Sequence, residues 1–168
     1  KLLSQIYKYR KFGNIIDMPI PSLNDEYSPK DIPKYKMPLR MIDCGAFNGC
    51  TIKKIKSNYN NISSILAFEP DIFNYKKLIK LKLNKTKLTC LPLGLWSEPT
   101  TLSFEENGDM SSNLSISGKS IVTLVKYDDA FPCYKPNLIK MDIEGAEYNA
   151  LLGMKKTISK YKPNLCIS

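Results

Sequence analysis

The sequence predicts an α/β fold built on a doubly wound, mostly parallel sheet with helices on both faces. Short apolar runs of buried-strand type alternate with segments whose apolar residues recur at helical spacing. Because parallel neighbours need a crossover between them, usually a helix, this alternation is typical of parallel βαβ units. A glycine turn directly after the first apolar run is a further indication, since such turns lead from a strand into a helix. The 168 residues are enough for one domain with its own core.

The first 37 residues are predicted to precede the domain proper. Residues 1–12 place apolar side chains between basic ones at helical spacing, which predicts a short amphipathic helix. From Met18 to Pro38 the chain is polar and carries five prolines, a composition typical of an extended connection. We therefore divide the chain into a basic N-terminal appendage or lid, 1–37, and a domain, 38–168.

Strands and helices are predicted to alternate through the domain. The parallel strands are predicted at Arg40–Asp43, Ile65–Phe68, Leu88–Leu93, Leu138–Asp142 and Asn164–Ser168. Helical spacing covers Thr51–Ser57, Asp71–Leu83 and the residues after Gly145. An inserted antiparallel pair is predicted at Leu102–Glu105 and Ile121–Val125.

The second helix carries the clearest local signals. Asp71 follows Pro70 and is the predicted N-cap. Three apolar residues share one side of this helix, namely Ile72, Tyr75 and Ile79.

Charge and cysteine content narrow the possible functions. The formal net charge is +9, and all of the excess lies before residue 87. A basic half can attract phosphate, nucleic acid or an anionic membrane surface, but a solvated lysine-rich face has the same composition and is the interpretation we favour.

Five scattered cysteines, without a CxxC pair and without any histidine, predict free thiols and no metal site. Without an apolar run of roughly 18 residues or a secretory signal, we expect no transmembrane segment and a cytoplasmic location.

The glycine turn has the form Asp43-x-Gly45-x-x-x-Gly49. A dinucleotide fingerprint starting at Gly45 needs glycine at the positions of Phe47 and Cys50, so that interpretation fails. At this turn Asp43 would repel a pyrophosphate and attract the amino group of a methionine moiety. The alternative is an ordinary strand-to-helix turn whose glycines only relieve backbone strain.

Acidic residues also follow two other predicted strands. Glu69 lies where an acid about 20 residues beyond the turn accepts hydrogen bonds from ribose hydroxyls, although an acid at a helix start also has this position. Asp142 ends the fourth parallel strand and should face the same crevice as Asp43 and Glu69. The following Glu144 and Glu147 lie where a helix N-terminus favours negative charge.

Together these stretches make the chain resemble the FkbM-type family of S-adenosylmethionine-dependent methyltransferases. The resemblance runs from Pro38 to Ser168 and rests on IDCGAFNGCT, ILAFEPD, LPLGLWSEPTTLSF and IKMDIEGAEYNALLGMKKTISKYKPNLCIS, in that order. The commoner family form has asparagine in place of Phe47, and the most similar branch has aspartate in place of Cys50. The resemblance implies a Rossmann-like methyltransferase sheet.

The resemblance also implies a binding site for S-adenosylmethionine. The implied contacts are Asp43, Gly45, Ala46 and Gly49 for the methionine part, Glu69 for the ribose, and Gly94 and Leu95 for the adenine. Asp142 and Glu144, with Lys140 behind them, are implied to face the transferred methyl group and the acceptor. A polar loop with Ser111, Ser112 and Asn113 is implied to approach the active site, or is simply an exposed loop tip.

The predicted reaction is O-methylation of a hydroxyl on a sugar, a glycan or a small metabolite, with Asp142 as general base and Glu144 as second candidate. Methylation of base nitrogens is disfavoured, because Asp142 is followed by Ile-Glu-Gly and not by Pro-Pro-aromatic. Cys133 follows a proline but precedes the fourth strand, so we do not interpret it as a cytosine-methylation nucleophile.

The alternative function is a non-catalytic module that docks its basic face on nucleic acid or an anionic glycolipid surface. Nucleic acid is the less expected partner, and the sequence does not predict an oligomeric state.

The family typically continues with a Tyr-His step and a closing strand pair, which this sequence does not contain. We therefore expect the chain to be part of a longer protein, with its sheet cut after the fifth strand and that strand left as an open edge.

Overall fold

The computed structural model describes Tyr27, Tyr35 and residues 37–104 and 120–168 of the chain. Its centre is a sheet of five parallel strands. In chain order the strands are β1 (Leu39–Cys44), β2 (Ile62–Phe68), β3 (Lys87–Leu91), β4 (Gly94–Trp96), β5 (Thr100–Phe104), β6 (Ser120–Lys126), β7 (Leu138–Met141) and β8 (Asn164–Ile167). The helices are α1 (Cys50–Asn58), α2 (Ile72–Leu78), α3 (Tyr127–Ala130), α4 (Glu147–Gly153) and α5 (Lys155–Tyr161).

The strand order makes the sheet doubly wound. The order is β3-β2-β1-β7-β8, so the chain first adds strands on one side of β1 and later adds them on the other. β1 and β7 are therefore neighbours where the order reverses, and Asp43 lies opposite Lys140 between them. The predicted fold class is confirmed. In such sheets ligands bind beyond the carboxyl ends of the strands at this point.

Apolar side chains fill both faces of the parallel sheet. Successive strand residues point to opposite faces, so Met41 and Ile42 belong to different buried clusters. The cluster around Met41 includes Ile52 of α1, whereas the cluster around Ile42 includes Ala150 of α4. Helices thus cover the sheet on both faces, and the loops at the strand ends are left to form a site.

Helix α2 is shorter than predicted, and a different side of it is buried. Its N-cap is confirmed, because the Asp71 carboxylate accepts a hydrogen bond from the backbone N–H of Asn74 at 2.7 Å. Asn74 and Leu78 are the buried residues, whereas Ile72 is 42 % exposed. The helix ends at Leu78 because the next turn tightens: the N–H groups of residues 80 and 81 bond carbonyls three residues earlier.

The predicted strand Leu88–Leu93 is shorter than predicted, and a separate strand of another sheet follows it. It ends at Leu91, and the chain resumes as β4 in a three-stranded sheet of order β4-β6-β5. Pro92 separates the two segments, and a proline has no N–H to continue the β3 ladder. The predicted antiparallel pair is confirmed as β5 and β6, with Leu102 opposite Val122.

The helix predicted after Gly145 is also divided. It begins at Glu147 and is interrupted at Met154, whose side chain is buried and whose φ and ψ are −110° and 6°. Gly153, just before the break, packs so closely on β4 that an added Cβ would collide with the backbone oxygen of Trp96. The small second sheet is therefore fixed against α4.

Two residues from the predicted appendage belong to the core. Tyr27 and Tyr35 are 9 % and 5 % exposed. The Tyr35 hydroxyl donates to the backbone oxygen of Tyr27 at 2.8 Å, and its ring stacks on that of Tyr59 at 5.2 Å between centroids. The predicted helix 1–12 and the loop residues 111–113 lie outside the described residues.

Two further findings concern membrane-spanning helices and the cysteines. Within ranges 37–104 and 120–168, no helix is long and apolar enough to span a bilayer. The five cysteines, all within these ranges, carry free thiols.

Candidate cofactor and active site

A cleft of about 190 Å³ opens at the carboxyl edge of the parallel sheet, beyond β1, β2 and β7. Gly45 and Phe47 of the glycine turn form one part of its wall. Glu69 and Asp142, which follow β2 and β7, form two others. The glycine turn, Glu69 and Asp142 meet here because the carboxyl ends of parallel strands share one edge of the sheet.

The glycine turn needs its glycines for two physical reasons. Gly45 and Gly49 have φ values of 75° and 83°, a region that L side chains rarely adopt. A Cβ added to Gly45 would also collide with the backbone oxygen of Asp142, so the turn lies directly against the end of β7. Phe47 has a φ of 51° without being glycine, and such a residue needs outside support.

Glu69 supplies that support. One carboxylate oxygen accepts a hydrogen bond from the N–H of Phe47 at 2.6 Å, and the other accepts one from the N–H of Asp71 at 3.0 Å. The side chain is 6 % exposed, and burial raises the pKa of Glu69 to about 7 although the two N–H bonds act to lower it. Glu69 thus lines the cleft and also fixes the shape of the turn beside it.

Asp43 lies beneath the cleft and does not line it. Its carboxylate is fully buried and lies 3.3 Å from the ammonium of Lys140, but neither oxygen is hydrogen-bonded within the described part of the chain. Burial raises the pKa of Asp43, and the charge of Lys140 only partly opposes the rise. Lys140 also donates to the backbone oxygen of Gly45 at 2.7 Å, so it ties the ion pair to the turn.

Asp142 faces the cleft and is partly exposed. Its side chain is 33 % accessible, and one oxygen lies 4.0 Å from the Lys140 ammonium. The same oxygen accepts a hydrogen bond from the Tyr27 hydroxyl at 3.2 Å. Burial acts to lower the pKa of Lys140, but the nearby charges of Asp43 and Asp142 outweigh it and raise that pKa. Glu144 lies exposed on the cleft wall, so Asp142, Glu144 and Lys140 are brought together as predicted.

The predicted adenine contacts lie at the other end of the cleft. Gly94 and Leu95 both line it, and Leu95 is buried. A Cβ on Gly94 would collide with the side chain of Leu124, and the ring of Pro70 lies close by. These residues form an apolar slot in this part of the cleft.

Ala46 and Gly49 were predicted as cofactor contacts, but they do not line the cleft in this structure. The N–H groups of Gly45 and Ala46 both donate to the Phe68 oxygen, at 3.1 and 3.0 Å, and the N–H of Gly49 donates to Ala46. The N–H groups of Gly45 and Ala46 therefore hold the turn against the end of β2, whereas that of Gly49 closes the turn on the backbone oxygen of Ala46.

Among the cleft-wall residues that sequence reasoning missed are Tyr27, Asp71 and Asn74. Asp71 was interpreted only as a helix cap. Asn74 offers one usable signal, which is an amide at helical spacing with Leu78 on the buried side of α2. No sequence signal connects Tyr27 to Asp142, because the contact spans 115 positions.

Comparison with known proteins agrees with this architecture. The family described as Methyltransferase FkbM domain matches residues 43–168. Among solved structures, methyltransferase FkbM from Methylobacillus flagellatus KT aligns with 86 % of this chain at a TM-score of 0.69 and 24 % identity. The alignment covers 36 % of that protein, so the chain spans about a third of its length, and the likeness shows the fold. None of the curated proteins matches the sequence.

Proposed function

The chain belongs to the FkbM methyltransferase domain family, and on that premise we propose that it transfers a methyl group from S-adenosylmethionine to a hydroxyl of a sugar, a glycan or a small metabolite. The observation that carries this proposal is the position of two carboxylates on one cleft. Glu69 is buried beside the glycine turn, and Asp142 lies across the turn from it at the end of β7.

The cleft residues fit S-adenosylmethionine. Glu69 can accept hydrogen bonds from ribose hydroxyls, because each carboxylate oxygen has a lone pair beyond the one used by the backbone. The slot of Pro70, Gly94 and Leu95 suits the adenine ring. We assign the methionine part to the wall formed by Gly45 and Phe47.

The charges beneath the turn favour a cation in the cleft. Asp43 and Asp142 carry two carboxylates around the single ammonium of Lys140, which leaves one negative charge when all three are ionised. Bound there, the cofactor supplies a methyl group activated by its positive sulfur. In our proposal the buried Asp43 carboxylate attracts the positive sulfur from beneath the glycine turn. Ala46 and Gly49 shape the turn and do not contact the cofactor.

Asp142 is the proposed general base. One of its oxygens is held by Tyr27 at 3.2 Å, and the other has no hydrogen bond within the described residues. That second oxygen could take the proton of an acceptor hydroxyl held in line with the methyl group that the cofactor would supply. Lys140 holds the Asp142 side chain by charge, and Glu144 on the rim is the second candidate base.

Calorimetric titration of the whole protein with S-adenosylmethionine and with S-adenosylhomocysteine tests the proposal. We expect one site that is lost or strongly weakened in Glu69→Ala and retained in Glu98→Ala, a matched change at a side chain that is 70 % exposed. If the folded protein binds neither compound but binds a polyanion with steep salt dependence, it is a basic docking module and not a methyltransferase.

A further inference from the structure

Two residues of the cleft wall each carry a buried acceptor oxygen that has no donor in the described part of the chain. Asp71 and Asn74 both line the cleft and are 2 % and 3 % exposed. One Asp71 oxygen caps α2, but its other oxygen has no hydrogen-bond partner within the described residues, and neither does the side-chain oxygen of Asn74. Buried acceptors without donors destabilise a protein, so a pair of them on one cleft needs an explanation.

The fold of α2 does not require these two atoms. The cap uses one oxygen of Asp71 and the backbone N–H of Asn74, which serine at position 71 or any non-proline residue at position 74 also provides. On the buried side of a helix an apolar residue would pack at position 74 without leaving a polar atom unpaired. The oxygens are therefore better explained by a ligand than by the fold.

The position of the pair identifies the part of the ligand that it meets. Asp71 is two residues from Glu69 and donates its backbone N–H to that carboxylate at 3.0 Å. Pro70 between them borders the slot that contains Gly94. The pair thus lies on the side of the cleft assigned to the nucleoside, with two carboxylates that would repel an anionic group.

We propose that the Asn74 side chain and the free Asp71 oxygen bind hydrogen-bond donors on the nucleoside half of the cofactor, so that Asn74 determines nucleoside specificity. This inference rests on the proposed function. A nucleoside of adenosine type has donors of two kinds, the ribose hydroxyls and the exocyclic amine of the base. Both are neutral, and both can donate to the two oxygens that have no donor within the described residues.

The test measures binding, not turnover. S-adenosylhomocysteine is titrated against the wild type, Asn74→Leu and Asp71→Ser, of which the last keeps a capping oxygen and removes the free one. Asn60→Leu, a change at an exposed asparagine, is the control. We expect each cleft variant to weaken binding about 5- to 10-fold, the loss of one hydrogen bond, and the control to leave it unchanged.

Ligand analogues identify the donor. The same titrations use S-adenosylhomocysteine without the 2′-hydroxyl, without the 3′-hydroxyl, or with oxygen in place of the exocyclic amine. The analogue that lacks the matched donor should bind wild type and Asn74→Leu equally, and a deoxy or a 6-oxo analogue assigns it to the ribose or to the base. A loss of the same size for every analogue, or no loss for S-adenosylhomocysteine, overturns the inference.

Thermal unfolding without ligand separates binding from folding. Because Asn74→Leu removes an unpaired buried acceptor, we expect its midpoint to equal or exceed that of the wild type. A lower midpoint shows that the amide has a structural partner and overturns the inference. If the wild type binds no S-adenosylhomocysteine, the proposed function fails as well; if it binds and the variants bind equally, only this inference fails.

Discussion

The carboxylate of Glu69 accepts a hydrogen bond from the backbone N–H of Phe47 at 2.6 Å, across the cleft edge between the end of β2 and the glycine turn. This bond supports a non-glycine residue at a φ of 51°. It joins two features that the sequence presents separately, the glycine turn and the acid after the second strand. A change at Glu69 therefore affects both the shape of the turn and its ligand.

Cofactor affinity should fall as the pH falls below about 7, the value to which burial raises the pKa of Glu69. Ribose hydroxyls donate to the ionised carboxylate, so the protonated protein must lose a proton to bind. The dissociation constant for S-adenosylhomocysteine should then rise toward about tenfold per pH unit on the acid side and level off above pH 8. Calorimetry from pH 5.5 to 8.5 measures this dissociation constant. Glu69→Gln, which does not titrate, should give a flatter profile; an equal slope in both proteins contradicts the assignment.

The same group should make the ligand-free protein less stable as the pH rises. Because the folded pKa of Glu69, about 7, exceeds its ordinary value of 4.5, the folded state binds the proton more tightly. The stability that this group contributes is therefore complete below pH 4.5 and is lost as the pH rises through 7. Urea unfolding of wild type and Glu69→Gln at pH 5, 6, 7 and 8 measures the effect: the stability of the wild type relative to Glu69→Gln should fall as the pH rises to about 7 and change little above it. A relative stability that stays constant or rises with pH is the opposite result.

Gly45→Ala and Gly145→Ala separate backbone strain from lack of space. Both glycines have positive φ, 75° and 94°, so each substitution pays a conformational cost of about 1–2 kcal/mol. Only Gly45 has no room for a Cβ, because the backbone oxygen of Asp142 occupies that position, whereas nothing lies near the corresponding point at Gly145. We expect Gly45→Ala to lose clearly more stability in urea unfolding and to abolish cofactor binding. Equal losses would show that the turn can move away from β7.

The parallel sheet was predictable because its strands carry their own signals. The apolar runs at β1, β2 and β7 are almost wholly buried, so their composition alone identifies them as strands. The glycine turn and Glu69 could be assigned to the site because each comes directly after a predicted strand, and the site lies where the strands end. Helix α2 shows the limit of this reasoning: its exposed apolar residues and its buried Asn74 invert the pattern that burial normally produces.

Contacts distant in sequence were not predictable. The first strand of this stretch ends at Leu91 because Pro92 and the second sheet redirect the chain, and no sequence pattern shows that β4 joins the predicted antiparallel pair. Tyr27 reaches Asp142 from a segment whose composition predicts only a loop. The burial of Asp43 beneath the cleft depends on Lys140, which lies 97 positions away in the sequence. Only the pairing of β1 with β7 brings the two residues together.

Lys140→Met should destabilise the protein by about 3 kcal/mol or more, because it leaves the buried Asp43 carboxylate without its counter-charge. The double variant Asp43→Asn/Lys140→Met should lose less than the sum of the two single changes, since it removes both charges. Urea unfolding of the four proteins completes the cycle. As a comparison, Lys126→Met removes an exposed ion pair with Glu98 and should change little. If the losses of unfolding free energy from the Asp43 and Lys140 changes were additive, the ion pair would not couple β1 to β7.

Asp142→Asn tests the proposed base without removing the side chain that borders Gly45. The amide keeps the size of Asp142 and can still accept from Tyr27, but it cannot take a proton. Methyl transfer from labelled cofactor to a hydroxyl acceptor, found by screening sugars and small metabolites, should fall about 10²- to 10⁴-fold. S-adenosylhomocysteine should bind within about tenfold of the wild type, because that neutral product does not depend on the lost charge.

The control for this change is Asp129→Asn, at an acid whose side chain is 54 % exposed on α3. It should leave transfer unchanged, and Glu144→Gln should reduce transfer less than Asp142→Asn does. If Asp142→Asn retains full turnover while Glu144→Gln abolishes it, the rim carboxylate is the base, and Asp142 serves to attract the positive sulfur. Loss of cofactor binding in Asp142→Asn would instead place its carboxylate in the binding of the methionine part, beside Gly45.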